Sequence, residues 1–440
     1  MLAEKIIMTN EQKKPIVAYF SMEIGLENNI KTYSGGLGVL AGDILKSAAN
    51  ANFPMVGITL FNDQGYFKQT ISKNGQQEFG PDDKYDFSKL EKLSAQIEIL
   101  IGNDKVLVGV WQYFIVGHND FVVPVYFLDT NINGNKDIYK NLTGELYGGD
   151  NEYRLRQEII LGRGGVKMLQ KLGYQDIKKF HLNEGHGALA AIELFLNSEK
   201  KSDEAKIKDV RSHCVFTTHT PIPKAHDIFS KEYLLKYQKD FPAHLTALYD
   251  EEGNIHFTSL GLYFSGYSNA VSRLHQETCQ KMYPNYKINF VTNGVNSEFW
   301  SAPEFGELYN KYMPAWLNDG ANLVKAKIIP PEEIWSAHQA AKRRLAEYIN
   351  LHLLEQIDEN IFTIGFARRF ATYKQPKYLF QDIEKLLAIN ENIGKIQIIY
   401  AGKAHPRDAA GQEMIKFIHD LKKKLKGKIK IIFLSDYDLD

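Results

Sequence analysis

The stretch IVAYFS at residues 16–21 is followed, after a loop, by TYSGGLGVLAGD at residues 32–43. The first is a short apolar run typical of a buried β-strand, and the second joins a glycine-rich turn to a helical pattern at residues 39–51. A strand, a tight turn and a helix in this order are typical of the repeating unit of an α/β sheet. The stretch therefore predicts that the fold begins with such a unit.

The glycine-rich turn also has the chemistry of an anion site. Gly35 and Gly36 let a ligand approach the backbone closely, and the helix start offers free N–H groups and the positive end of a dipole. These groups suit a phosphate or an oxyanionic sugar group. The turn is neither a GxGxxG nucleotide fingerprint nor a Walker loop, and a purely structural turn is an equal alternative.

Apolar β-branched runs alternate with amphipathic stretches along the chain, which predicts further βα units and a largely parallel sheet. Besides the first strand, the predicted strands of this half are residues 55–60, 122–128, 180–182, 214–218 and 288–292. Helices are predicted at residues 158–171 and 188–196. Short β-prone runs within residues 95–116 predict an antiparallel insertion or sheet edge.

The second half repeats the pattern after an irregular, proline-bearing segment at residues 301–331. The predicted elements that follow are a helix at residues 332–351, strands at 361–366, 396–400 and 428–434, and helices at 377–388 and 409–425. This order predicts a second doubly wound α/β domain. The set is about half of such a domain, so we expect the second domain to be incomplete and the chain to be shortened at its C-terminus.

Composition excludes several classes of protein. The 440 residues include 53 Lys plus Arg and 53 Asp plus Glu, which excludes a strongly basic nucleic-acid-binding protein. Cys214 and Cys279 are too few for a disulfide framework or a cysteine-based zinc module. The sequence shows no secretory leader pattern and no run of about 18 apolar residues. We expect a cytoplasmic protein that binds neither nucleic acid nor membrane.

Polar residues follow several predicted strands, and ligands of doubly wound sheets bind at the carboxyl ends of strands. The stretch HLNEGHGALA at residues 181–190 offers Asn183, Glu184 and His186 as candidates. The HExxH spacing of zinc enzymes is absent there, which disfavours a metal site.

His219 and Asn293 follow two other predicted strands. His219 lies in TTHTPIPKAHD at residues 217–227, where a ligand role and a structural role are equally open. Asn293 lies in TNGVNSEFW at residues 292–300, where it either bonds a ligand or adopts the left-handed conformation of a sharp turn.

The stretch FARRFATYK at residues 366–374 places fixed positive charge after a buried strand. Arg369 presents a forked donor that suits phosphate, and Lys374 adds a point charge. The alternative is a solvated basic turn. We favour a phosphate site at this strand end.

In this order, the motifs resemble those of the α-glucan phosphorylases (glycogen and maltodextrin phosphorylases), and of their shorter bacterial branch in particular. The resemblance rests on YFSMEIG, SGGLGVLAGD, LNEGHGALA, TTHTPIPKAHD, TNGVNSEFW, FARRFATYK, YAGKAHP and IIFLSDYD, which span the chain from about residue 15 to its end. It implies two Rossmann-like domains that face a cleft, the GT-B arrangement, with domains at residues 1–292 and 293–440.

The resemblance implies an enzyme that carries out reversible phosphorolysis. Inorganic phosphate would cleave the terminal α-1,4 glucosyl unit of glycogen or maltodextrin and release glucose 1-phosphate with retained configuration. The family uses pyridoxal 5′-phosphate, whose phosphate group exchanges a proton with the substrate phosphate. The implied partners are an α-glucan and inorganic phosphate, with a second copy of the chain or a complementing C-terminal chain as protein partner.

The same resemblance implies roles for individual residues. His219 matches a histidine that contacts the glucosyl unit near the cleaved bond, and Asn293 matches an asparagine that contacts the sugar. Arg369 and Lys374 match the cations that hold the substrate phosphate. The remaining matches are Gly35, Gly36 and Leu37 in the loop whose backbone approaches the phosphates, Glu184 and His186 as a polar pair lining the cleft, and Glu23 as a carboxylate near the loop.

One feature of the family is missing from this sequence. The lysine that forms the Schiff base with pyridoxal phosphate belongs to a Gly-Met-Lys or Asn-Met-Lys motif, and neither motif occurs here. A catalytically inactive phosphorylase remnant that binds glucan or a partner chain is therefore an alternative. A second alternative is a nucleotide-sugar glucosyltransferase resembling glycogen synthase, because those enzymes share the Gly-Gly-Leu-Gly turn, although the other motifs argue against it.

Overall fold

The structure is a computed structural model that describes residues 14–30, 32–64, 66–80, 86–222, 226–353 and 355–437. The chain packs as two compact units. The first is Met1–Tyr66 with Lys84–Asn296, and the second is Phe67–Asp83 with Ser297–Asp440. The sequence did not predict that a short segment of the first half packs with the second half. The domain boundary between residues 292 and 293 stays a prediction.

The strands are, in chain order, β1 (Val17–Phe20), β2 (Met55–Leu60), β3 (Lys68–Ile71), β4 (Gln77–Gly80), β5 (Glu91–Ile101), β6 (Asp104–Val116), β7 (Val122–Asp129), β8 (Lys179–Asn183), β9 (Cys214–Thr218), β10 (Ile228–Ser230), β11 (Asn254–His256), β12 (Tyr267–Ala270), β13 (Asn289–Phe290), β14 (Phe362–Ala367), β15 (Ile396–Ala401) and β16 (Lys430–Leu434).

The α-helices are α1 (Gly36–Asn50), α2 (Asp137–Lys140), α3 (Asn151–Ile159), α4 (Gly165–Lys171), α5 (Leu189–Asn197), α6 (Asp203–His213), α7 (Lys231–Tyr237), α8 (Phe257–Phe264), α9 (Arg273–Met282), α10 (Ser297–Trp300), α11 (Pro303–Tyr312), α12 (Pro331–Leu353), α13 (Ile383–Asn392) and α14 (Ala409–Lys424). A π-helical turn, Ile160–Gly164, joins α3 to α4. Within the described ranges, no helix combines the length and the apolar character that crossing a membrane requires.

The first unit is built on one large sheet with the strand order β13-β12-β9-β8-β1-β2-β7-β6-β5. Neighbouring strands are parallel from β13 to β7, whereas β6 runs antiparallel to both β7 and β5. The predicted parallel sheet and its antiparallel edge are confirmed. The interior strand β2 is buried along its whole length, as expected for a parallel strand covered on both faces.

The helix after the glycine-rich turn lies directly against the chain that leaves β1. A Cβ atom on Gly42 of α1 would lie 1.9 Å from the backbone oxygen of Gly25, so only glycine permits this approach. The backbone N–H of Gly25 in turn donates to the oxygen of Gly38 at 2.7 Å. These two contacts fix the turn beside the carboxyl end of β1.

The helix predicted at residues 158–171 begins earlier, at Asn151, and contains the π-helical turn. The side chain of Asp150 caps it by accepting a hydrogen bond from the N–H of Tyr153 at 2.8 Å. This capping satisfies one of the free N–H groups of the first turn. The prediction missed the start because residues 151–157 are mostly polar and follow no apolar period.

The second unit contains a parallel sheet of the order β14-β15-β16, with α13 and α14 in the two connections. Its core surrounds Phe370, Ile398 and Tyr400, packed against Ile415 and Ile418 of α14. The antiparallel hairpin β3–β4 from the first half of the sequence belongs to this unit. The predicted second α/β sheet is therefore present.

The irregular connection predicted at residues 301–331 is wrong in part. The segment forms α11 and two 3-10 helices, Pro314–Trp316 and Gly320–Ile328, around a small core that includes Leu308 and Trp316. Pro303 occupies the first turn of α11, and Pro314 begins a 3-10 helix. Proline is tolerated at the first helical position because its missing N–H would be unpaired there anyway. The prolines begin these helices rather than interrupt them.

Candidate active site

Three of the predicted motifs meet at the carboxyl edge of the first sheet. They follow β1, β8 and β9, which are adjacent parallel strands. The side-chain amide of Asn183 donates to the hydroxyl of Ser21 at 3.0 Å, and its oxygen lies 2.5 Å from Nε2 of His219. Asn183 therefore links the ends of all three strands and fixes the ring of His219.

Glu184 fixes the backbone that carries His219. Its backbone has a positive φ of 66°, which is uncommon for a residue with a side chain. Its carboxylate accepts hydrogen bonds from the N–H groups of His219 at 2.7 Å and Thr220 at 3.2 Å, and from the hydroxyl of Thr258 at 3.3 Å. Through these hydrogen bonds, the buried side chain of Glu184 holds the loop after β9 in place.

The charge state of this cluster follows from its burial. Burial acts to raise the pKa of Glu184, but the charge of His219 and the hydrogen bond from its N–H outweigh burial, and the pKa lies below its usual range. Burial lowers the pKa of His219. The site therefore combines a carboxylate with a histidine whose neutral form is favoured.

The predicted site residue His186 belongs to a second group, and the sequence analysis missed the other members of that group. Burial, reinforced by the charge of Arg154, lowers the pKa of His186 to about 4. Its Nε2 lies 3.7 Å from the carboxylate of Asp227, which also accepts from Arg154 Nη2 at 3.3 Å. Nε of Arg154 lies 2.8 Å from the buried carboxyl of Glu158, one turn along α3. The spacing of Arg154 and Glu158 was the available signal, since residues four apart share a helix face.

Glu23 is bonded directly to the glycine-rich turn. One of its carboxylate oxygens accepts the N–H groups of Ser34 at 2.6 Å and Gly35 at 3.2 Å. The other accepts the hydroxyl of Tyr147 at 2.8 Å. In this structure the N–H of Gly35 is therefore bonded to a carboxylate of the chain itself. A role of the turn in phosphate binding stays a prediction.

Gly36 and Leu37 form the start of α1 beside that carboxylate. Gly36 is exposed, and a Cβ atom there would meet no atom within 4 Å. The space in front of this part of the turn is open, which a ligand approaching the backbone requires.

Asn293 does not adopt a left-handed turn. Neither Asn293 nor Gly294 has a positive φ, so that interpretation of the asparagine is wrong. The N–H of Asn293 donates to the oxygen of Val271 at 3.0 Å, and the residue is exposed. The predicted strand beside it is short, with only Asn289–Phe290 paired.

In the second unit, Arg369 and Lys374 lie in the loop after β14. Arg369 is exposed, and Lys374 is half-buried with its amine 4.8 Å from the centre of the Tyr373 ring. His405 lies in the loop after β15, where burial, then the charges of Arg407 and Arg369, lower its pKa. The loops after β14 and β15 therefore place Arg369 and Arg407 near His405, a histidine whose neutral form is favoured and which the sequence analysis missed.

No group of three or more His, Cys, Asp or Glu side chains within the described ranges is placed to hold a metal ion. The pyridoxal phosphate implied by the resemblance needs a lysine amine for its Schiff base. No lysine among the described residues is buried. Burial lowers the pKa of the half-buried Lys46 to about 8, but its amine lies 3.0 Å from the backbone oxygen of Gly25. The described residues do not fit covalent attachment of pyridoxal phosphate.

The fold and the polar strand ends define an α/β protein with ligand-type residues at the carboxyl edges of its sheets. A family model described as carbohydrate phosphorylase matches residues 226–440. The chain is 34% identical to a maltodextrin phosphorylase of Thermococcus litoralis, 34% to a glycogen phosphorylase of Aquifex aeolicus and 31% to a glycogen phosphorylase of Mycobacterium tuberculosis.

These alignments cover 97%, 97% and 96% of this chain. They cover 55%, 68% and 55% of the respective relatives, so the chain spans about half to two thirds of their length. The chain belongs to the carbohydrate phosphorylase family, and the resemblance inferred from the motifs is confirmed.

Proposed function

We propose that the chain is an α-1,4-glucan phosphorylase, a hexosyltransferase that uses inorganic phosphate to release glucose 1-phosphate from glycogen or maltodextrin. The observation that carries the proposal is the fixed group of Asn183, Glu184 and His219 at the carboxyl edge of the first sheet. The names of the relatives support the same reaction.

In this reaction a phosphate oxygen replaces the glucan oxygen on the anomeric carbon of the terminal glucose, and a proton from the phosphate passes to the departing glucan oxygen. Positive charge builds on that carbon as the bond breaks. Arg369 and Lys374 would hold the phosphate, since a guanidinium fork and an ammonium match its oxygens. His219 and Asn293 would contact the glucosyl unit. Gly36 would let the sugar or phosphate approach the backbone.

The buried group around His186 supports a role in binding sugar hydroxyls. Nδ1 of His186 and Nη1 of Arg154 are buried and have no hydrogen-bond partner among the described residues. With its pKa lowered to about 4, His186 is neutral at pH 7 and offers a hydrogen bond without a charge. Buried polar atoms without partners are costly, and a bound hydroxyl would satisfy them.

We further propose that the two units are Rossmann-like domains of the GT-B type, with β14, β15 and β16 forming the sheet of the second domain. The proposed protein partner is a second copy or a complementing C-terminal chain. Because the described residues do not fit covalent attachment of pyridoxal phosphate, no step of the reaction is assigned to it. Two buried cysteine thiols agree with a cytoplasmic location.

The test is release of glucose 1-phosphate from maltoheptaose and inorganic phosphate in the presence of pyridoxal phosphate. One arm contains the full chain alone, and the other adds in trans the part of the Aquifex aeolicus relative that the alignment leaves uncovered. We expect release in at least one arm and loss of that release in His219→Asn. His338→Asn, on an exposed histidine of α12, is the matched control.

No release in either arm, with maltoheptaose still bound, would contradict the enzyme and favour the inactive remnant. The feature that favours the remnant is the lack of a suitable lysine among the described residues. A stable Schiff base at a defined lysine, formed when pyridoxal phosphate is added to the chain alone and detected by its absorbance, would contradict the remnant.

A further inference from the structure

The hairpin β3–β4 comes from the first half of the sequence but packs as part of the second unit. Its turn contains Gly75 with φ 82°, and a Cβ atom there would lie 2.7 Å from the Cβ of His419 on α14. The amine of Lys423, also on α14, donates to the oxygen of Lys73 at 3.2 Å. The turn of the hairpin is therefore packed closely against one helix of the second unit.

The other end of the hairpin is bonded through a buried glutamine, Gln77, which is 7% exposed. Its amide nitrogen donates to the oxygen of Ala404 at 2.8 Å, and its amide oxygen accepts the N–H of Ala404 at 2.9 Å. This pair of bonds is the one that a neighbouring β-strand would supply. Gln77 thus holds the loop after β15 as an added strand would.

A second buried glutamine, Gln69, connects the hairpin to two loops at once. It is 1% exposed, and its amide nitrogen donates to the oxygens of Gly402 at 3.0 Å and of the Gln77 side chain at 2.7 Å. Its amide oxygen accepts the N–H of Asp436 at 2.9 Å. The two glutamines therefore form one network with the loops after β15 and β16.

The loop after β15 is in turn bonded to the loop that carries Arg369. The N–H of Phe370 donates to the oxygen of Lys403 at 2.9 Å, and the N–H of Arg368 donates to that of Ala401 at 3.1 Å. A Cβ atom on Gly402 would lie 1.9 Å from the oxygen of Arg368. Both neighbours of Arg369 are thus held by the segment that the glutamines hold.

We propose that Gln69 and Gln77 are positioning residues for phosphate binding, acting through residues 401–404 on the loop that carries Arg369. The proposal rests on the proposed function, which assigns the phosphate to Arg369 and Lys374. Two buried amides are a costly way to fill space, because each polar atom needs a partner. Apolar side chains would pack the hairpin without directional bonds. The two amides instead fix the position and orientation of the loop after β15.

The first test measures binding of inorganic phosphate to the full chain by 31P NMR line broadening. Gln77→Met and Gln69→Met keep the side-chain length and remove the hydrogen bonds. Gln76→Met is the matched control, because Gln76 is the exposed neighbour in the same hairpin. We expect roughly tenfold weaker phosphate binding for the first two variants and no change for the control, since small displacements of a positioned group cost one to two orders of magnitude.

Maltoheptaose binding is the readout that separates positioning from general destabilisation. Positioning predicts that the dissociation constant for maltoheptaose stays within about twofold while that for phosphate rises. Equal weakening for both ligands would overturn the proposal, because the glutamines would then only stabilise the fold. Unchanged phosphate binding in both glutamine variants would also overturn it.

Arg369→Gln distinguishes failure of this inference from failure of the proposed function. Loss of phosphate binding in Arg369→Gln with wild-type binding in Gln69→Met and Gln77→Met removes only the positioning role. Wild-type phosphate binding in Arg369→Gln removes the phosphate site and the positioning role together.

Amide exchange in the wild-type chain provides a test that does not depend on folding of a variant. The N–H groups of Ala404 and Asp436 donate to the two glutamine side chains. If phosphate at the Arg369 loop is coupled to the hairpin, saturating inorganic phosphate slows exchange at both by about threefold or more. Slowing at Phe370 without slowing at Ala404 and Asp436 would contradict the coupling.

Discussion

The candidate residues of the two units are held in place in opposite ways. In the first unit, His219 is bonded at its ring and its backbone by Asn183 and Glu184, at the end of the adjacent strand. In the second unit, Arg369 is exposed, and its loop is held through Phe370 and the loop after β15. That loop is bonded by Gln77, 327 positions earlier in the sequence.

The difference concerns what each residue contributes to stability. A buried, multiply bonded side chain supports the fold and the site together, so its loss affects both. An exposed cation contributes little to the free energy of folding, so its loss mainly weakens binding of the ligand. The following substitutions separate these two kinds of contribution.

The largest expected effect on stability is that of Glu184→Ala. Removal of the carboxylate leaves the half-buried N–H groups of His219 and Thr220 without this partner, which costs about 3–5 kcal/mol of unfolding free energy. Arg369→Gln should change the same quantity by less than about 0.5 kcal/mol. Urea unfolding followed by tryptophan fluorescence measures both, with the exposed Glu251→Ala as control. Equal losses for Glu184→Ala and Arg369→Gln would remove the contrast between the units.

The next largest effect on stability is expected for substitution of one glycine in each unit. Gly42→Ala and Gly402→Ala each place a methyl group 1.9 Å from a backbone oxygen, that of Gly25 or of Arg368. Each should lower the free energy of unfolding by about 3 kcal/mol, because the packed backbone must move. Gly36→Ala, with open space around the new methyl group, should stay within about 1 kcal/mol of wild type. Thermal unfolding of the three variants provides the measurement, and a neutral Gly42→Ala would show that α1 does not lie so close to Gly25.

Acid should destabilise the first unit through His186. Burial, then the charge of Arg154, lowers the pKa of His186 from its ordinary 6.5 to about 4. Between these values the unfolded chain binds a proton that the folded chain does not, so the stability present above pH 6.5 is lost as the pH falls towards 4. His186 alone lowers the free energy of unfolding by up to about 1.4 kcal/mol for each pH unit of this fall.

Urea unfolding at pH 7.5, 6 and 5 tests this pH dependence. His186→Gln should flatten the fall in unfolding free energy, whereas the exposed His338→Gln of the second unit should leave it as in wild type. An identical slope in wild type and His186→Gln would show that His186 is not held neutral by its surroundings.

The smallest effect is expected for Tyr147→Phe. The change removes the hydroxyl that donates to Glu23 at 2.8 Å, and with it about 1 kcal/mol of stability. Tyr373→Phe, on a tyrosine of the second unit that is 70% exposed, should be neutral. Hydrogen exchange at Ser34 and Gly35 should rise in Tyr147→Phe alone, since Glu23 binds both N–H groups. Unchanged exchange would show that Tyr147 does not help to hold the glycine-rich turn.

Much of the fold could be predicted because the parallel strands are short apolar runs that need little context. The strands at residues 55–60 and 214–218 have the predicted bounds, and the predicted antiparallel edge is present. The hairpin β3–β4 was missed because its residues are mostly polar, and their burial depends on loops more than 300 positions away. Such a partner leaves no local period in the sequence.

The candidate site was predictable where a residue type and a strand end coincide, as for Asn183, Glu184 and His219. The geometry of Glu184 was not predictable, because its positive φ depends on five donors around its carboxylate, which belong to Gly185, Thr218, His219, Thr220 and Thr258. Arg154 and Asp227 were missed for a related reason. They are 73 positions apart, and only the folded chain pairs their charges.

A proton NMR spectrum of maltoheptaose reacting with inorganic phosphate tests the proposed phosphorolysis itself. The reaction contains the full chain, pyridoxal phosphate and the complementing segment. We expect the α-anomeric signal of glucose 1-phosphate to grow in proportion to added phosphate and to be absent when phosphate is replaced by ADP-glucose. Free glucose as the product, or lengthening of maltoheptaose with ADP-glucose in the absence of phosphate, would contradict the proposed phosphorolysis.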